Sequence, residues 1–96
     1  MDPKLDHFSF TPIPDLSRLV FNIIVSEIHP PKKGRLVSYL HQLIDMHMNS
    51  VIAFDIDVGH AHDQTYVDGV IVFFDSSIDE AQIRRDVLKI LHEGDA

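Results

Sequence analysis

The run Leu19–Ile28 restricts the fold more than any other segment of the chain. Its β-branched and aromatic residues predict a strand, and one face reads Leu19, Phe21, Ile23, Val25. The other face, Val20, Asn22, Ile24 and Ser26, is mixed rather than polar. A strand largely apolar on both faces belongs in the middle of a sheet or in a place covered on both sides.

The remaining elements follow from periodicity. His29-Pro30-Pro31 ends the first strand. Leu36, Leu40, Leu43, Ile44 and His47 then recur on one helical stripe, predicting a helix from about Lys32 to Asn49. Gly34 is a poor interior residue, which moves the expected start toward Arg35. Val51–Val58 alternates as a strand, with Ile52, Phe54, Ile56 and Val58 on one side and Val51, Ala53, Asp55 and Asp57 on the other. Gly59–Thr65 reads as a turn-rich connection to a third strand, Tyr66–Asp75, in a hairpin. Ser77 and Glu80 stand in capping-box spacing before a second helix whose stripe is Ile83, Val87, Ile90 and Leu91.

At the N-terminus, Leu5–Phe10 is either a short edge strand or an ordered arm, and Pro12 and Pro14 are expected to break regular structure.

The expected fold class is α+β, a two-layer sandwich of order β-α-β-β-α with two helices on one face of an antiparallel sheet. At the level of fold it resembles ferredoxin-like and ACT-like modules, in which the first and third strands are neighbours and a fourth lies outside the first. No strand follows the last helix here, so Leu5–Phe10 either fills that edge or leaves it open to another chain. Ninety-six residues suit a single domain, 1–96, with 1–17 as arm or edge strand.

The absence of cysteine excludes a disulfide scaffold, a thiol nucleophile and a thiolate metal site. The polar, acidic start lacks the pattern of a signal peptide, and the longest apolar stretches, 19–25 and 70–74, are too short to span a bilayer. The expectation is a cytoplasmic protein with no membrane association.

Net charge is −7, unevenly placed. Residues 1–50 balance five basic against five acidic groups, whereas residues 51–96 hold three basic and ten acidic. That balance argues against binding a nucleic-acid backbone, which needs clustered Lys and Arg, and the aromatics are not interleaved with basic residues.

Three constellations invite a function. The first is the hairpin carrying Asp55, Asp57, His60 and His62, with Asp68 following; imidazoles and carboxylates are ligands for a divalent metal, and His47 is the natural third ligand if it faces the hairpin. The competing reading is a solvated turn. The second is Lys32, Lys33 and Arg35 at a helix start, where free N–H groups favour an anion; a solvated charged turn competes with it. The third is an apolar strip on the uncovered side of the sheet, Val20, Ile24, Val51 and Ala53, because two helices cover only one face.

No catalytic motif is present, and Asp55 with Asp57 as an acid–base pair is the weakest reading. These features predict a non-enzymatic binding or regulatory module, acting as a homodimer or as the acidic partner of another protein. A metal-binding or metal-responsive protein built on the hairpin is the alternative.

Overall fold

A computed structural model of the chain describes residues 3–61, 64–74 and 78–92. In chain order the elements are strands β1 (Lys4–Ile13) and β2 (Arg18–Ser26), helix α1 (Pro30–Met46), strands β3 (Val51–Ala61) and β4 (Gln64–Phe74), and helix α2 (Glu80–Leu91). The four strands form one antiparallel sheet in the order β1-β2-β4-β3. The architecture is therefore α+β with two helices, and its radius of gyration, 13.5 Å, is that of a compact chain.

The central strands have the composition that demands such a place. On β2 and β4 burial alternates residue by residue. Leu19, Phe21, Ile23 and Val25 face the helices, together with Val67, Gly69, Ile71 and Phe73. Onto them α1 lays Leu36, Leu40, Leu43 and Ile44, and α2 lays Ile83, Val87 and Leu91. No polar or charged residue is buried among the described residues, so burial of apolar surface holds the two layers together.

The sheet has four strands where periodicity predicts three with a fourth left open, because β1 is a full strand. It pairs with β2 from Lys4↔Ser26 to Ile13↔Arg18, through Pro12. An edge strand tolerates that proline, whose missing N–H removes no ladder bond when it points outward. Phe8 and Phe10 of β1 pack on Phe21, with ring centroids 5.2 and 5.0 Å away, and the Arg84 guanidinium of α2 lies 4.7 Å over the Phe8 ring. The fourth strand thus comes from the N-terminus, whereas a ferredoxin-like layer takes it from after the last helix. A one-turn 3-10 helix, Pro14–Leu16, closes the β1–β2 hairpin, with Ser17 left-handed at φ 53°.

Helix α1 begins at Pro30, earlier than its spacing predicted. Prolines at the first helical positions lose no intrahelical donor and are already set to helical φ, so the pair starts the helix instead of only ending the strand. The helix stops at Met46 rather than Asn49. The expected loop at 59–65 is largely strand, since β3 runs to Ala61 and β4 starts at Gln64. Helix α2 is capped by Asp79, whose Oδ1 accepts from the Gln82 N–H at 3.1 Å; Ser77 lies outside the described residues.

Candidate binding surfaces

Both helices pack on one side of the sheet, and among the described residues no element covers the other side. Cross-strand register fixes what that open face presents. One row is Thr11, Val20, Val72, Ala53; the next is Ser9, Asn22, Val70, Asp55; the third is His7, Ile24, Asp68, Asp57. Phe74, 48% exposed, stands beside Arg18 at one end. The face is apolar around Val20, Val70 and Val72 and acidic at the corner of Asp55, Asp57 and Asp68.

Val20, Ile24 and Ala53 lie on this face. Val51 does not. A bulge between Val51 and Ala53 inserts Ile52, so Val51 pairs with Phe73 and packs toward the core, while Ala53 pairs with Val72 on the opposite side. A strict period of two assigns both residues to one face, which the extra residue undoes.

The hairpin does not gather its candidate ligands among the described residues. Asp55 and Asp57 point to the open face, as does Asp68, the cross-strand partner of Asp57. His60 pairs with Thr65 and has the opposite parity, so it belongs to the helix side, where its Nδ1 lies 3.4 Å from Thr65 Oγ1. His62 lies outside the described residues. His47 is remote. It caps the C-terminus of α1, its Nδ1–H donates to the Leu43 carbonyl at 3.0 Å, and its ring meets the Phe73 edge at 5.9 Å. The strand from Phe73 to Thr65 separates it from His60, roughly 27 Å at about 3.4 Å per residue. No group of three His, Cys, Asp or Glu is placed to hold a metal ion among the described residues.

The basic cluster at the start of α1 is partly engaged within the protein. Lys32 Nζ donates to the Leu91 carbonyl at 2.7 Å, tying the end of α2 to the start of α1. The Lys33 N–H bonds to the His29 carbonyl at 2.8 Å in the first turn, and Arg35 is exposed.

Between the helices, Tyr39, Leu43, Met46, His47, Ile83 and Asp86 line a groove of about 460 Å³. The Tyr39 hydroxyl donates to Asp86 Oδ2 at 2.9 Å. Burial, then that bond and the carboxylate's charge, push the phenol's ionisation above the ordinary tyrosine range.

One surface escaped the sequence reading. Phe54, Ile56 and Val58 lie on the helix side of β3, but α1 sits over β4 and reaches β3 only in part. Phe54 is 52% exposed and Val58 42%. Beside them, Ile44, Met48, Val51, Ile52 and Phe54 border a groove of about 450 Å³. Alternation puts these residues on one face of the strand. The strand order, which alternation does not report, makes them the rim.

No family model matches the chain, and no match was found among curated proteins or solved structures. No helix among the described residues is long and apolar enough to cross a membrane.

Proposed function

We propose that the chain is a non-enzymatic binding module that works by docking protein against the open face of its sheet, with a second copy of itself as the occupant. One observation carries this reading: half-buried Val20, Ile24, Val70 and Val72, with the exposed Phe74, form an apolar face that neither helix covers. Arg18 supports a symmetric pairing. It lies on the same face, six positions along β2 from the level of Asp68, so a two-fold axis near the level of Phe21 sets Arg18 of each copy close to the acidic corner of the other. The ferredoxin-like or ACT-like form of the sandwich, which the order of elements in the sequence suggests, belongs to this reading.

Light scattering coupled to size-exclusion chromatography tests it. The expected result is a dimer that Val72→Asp converts to a folded monomer, because Val72 faces outward at the centre of the strip. Arg18→Asp is expected to weaken the dimer and Asp68→Arg to restore it. A chain that stays monomeric at high concentration overturns the reading.

A further inference from the structure

The sheet has two edges, and they differ in how they are guarded. β1 carries Lys4 at its start, Pro12 near its end and a bulge between Leu5 and His7, which are the usual devices against unwanted strand pairing. β3 is eleven residues long, contains no Lys, Arg or Pro, and has its only register shift at its first residues. Among the described residues no strand pairs with its outer side. Every second residue there directs its N–H and C=O outward, so the edge offers a ladder of unused backbone bonds.

The two sides of this edge have opposite chemistry. Toward the helices it shows Phe54, Ile56 and Val58, with the groove bordered by Met48. Toward the open face it shows Asp55 and Asp57, and Asp57 is paired with Asp68 on β4. Among the described residues none of these three carboxylates has an ion-pair partner.

From this arrangement we infer that β3 accepts an extended segment of a partner protein as a fifth strand, one in which Lys or Arg alternates with apolar residues. Its basic side chains then lie opposite Asp55 and Asp57, and its apolar side chains extend the layer formed by Phe54 and Val58. Backbone pairing supplies affinity, and the alternation of charge with apolar contact supplies selectivity. A second copy of β3 fits poorly. Antiparallel self-pairing centred on Asp55, Ile56 or Asp57 sets Asp55 against Asp55, Asp55 against Asp57, or Asp57 against Asp57 of the partner subunit. Like charges directly opposite are unfavourable. In these three registers the aspartates disfavour the strand's own copy, whereas a basic strand satisfies them.

This inference shares with the proposal above only the idea of a binding module, since it concerns a different surface. The test uses the full chain and three synthetic peptides: alternating Lys/Val, alternating Glu/Val, and the Lys/Val composition with its lysines grouped at one end. Binding is followed by fluorescence anisotropy, and its location by amide hydrogen exchange. The alternating Lys/Val peptide is expected to bind at least about tenfold more tightly than either control, less tightly as salt rises, and to protect amides within 53–58. Asp55→Lys with Asp57→Lys, both exposed side chains, is expected to reverse the preference toward the Glu/Val peptide.

Equal binding of the grouped-lysine peptide, no binding of the alternating one, protection outside β3, or indifference to the double reversal overturns the inference. Protection of 53–58 in the concentrated protein without peptide identifies self-pairing and overturns it too. Val72→Asp separates the two readings. A monomer that still binds peptide leaves this inference standing whatever becomes of the dimer, and a dimer that binds no peptide removes this inference alone.

Discussion

The distance between α1 and the sheet is set at Gly69, and a double-mutant cycle can measure it. Gly69 sits on the buried side of β4 between Ile23 of β2 and Ile56 of β3. A Cβ there would lie 3.1 Å from Ile23 Cγ2 and 3.3 Å from Leu40 Cδ1. Both separations are tighter than ordinary packing. Gly69→Ala gains about 0.5–1 kcal/mol from a less flexible unfolded chain, but an added methyl in a close-packed core costs about 1–3 kcal/mol. The second effect wins. Ile23 Cγ2 is fixed to a β-branched carbon on a strand and yields little, whereas Leu40 Cδ1 ends a side chain that can turn.

The net expectation for Gly69→Ala is a loss of about 1 kcal/mol. Leu40→Ala alone, at a fully buried site, is expected to cost about 3–4 kcal/mol. Together they should cost about 1 kcal/mol less than the sum, because the new methyl occupies space that Leu40 vacates. Ile23→Val keeps Cγ2 and so should give no such relief. Urea denaturation followed by circular dichroism reads all of the variants, provided that their m-values agree. Additivity of Gly69→Ala and Leu40→Ala within about 0.5 kcal/mol, or a Gly69→Ala variant more stable than the parent, refutes the reasoning.

Two further perturbations probe how the helices are joined. The folded state holds the Tyr39 phenol protonated beyond the pH, about 10, at which it ionises in the unfolded chain. Above that pH the unfolded state releases a proton that the folded state keeps, so stability falls as pH rises through it. Tyr39→Phe should cost about 1 kcal/mol at pH 7 and abolish this part of the alkaline loss; parallel losses in variant and parent above pH 10 would falsify the assignment. Lys32→Met removes the bond to the Leu91 carbonyl, and should cost about 1 kcal/mol and speed amide exchange in the last turn of α2. Unchanged exchange there sinks that role for Lys32.

What the sequence revealed and what it concealed divide along physical lines. The central strands were legible because apolar residues on both faces demand neighbours, and α2 because its stripe of Ile83, Val87 and Leu91 is regular. β1 was obscured by Pro12, which signals a break in most contexts and is harmless only on an edge. Val51 was misplaced by one inserted residue, Ile52, which reverses parity without changing composition. His60 and Asp57 look adjacent in a list of ligands, yet their odd separation of three sends them to opposite faces. Phe54 and Val58 look like core because alternation reports a face, not whether a helix lies above it.

Three of the ten acidic residues in the second half of the chain come together once the sheet is seen. Asp55, Asp57 and Asp68 occupy one corner of the open face, and register places Asp57 directly opposite Asp68, a pairing that disfavours the isolated sheet. An edge guarded only against pairing needs a charge on the exposed strand; it does not need a second one on the inner neighbour. Lysine on β3 would repel a second copy equally well, and it would form an ion pair with Asp68. Two aspartates on the edge with a third behind them add nothing to that defence and concentrate negative potential beside unused backbone donors and acceptors. The same edge presents Phe54 and Val58 on its other side, where a purely defensive strand would be polar. Among the described residues, acidity, apolar rim and open ladder coincide over 54–58, and a basic, alternating strand is the occupant that satisfies all three.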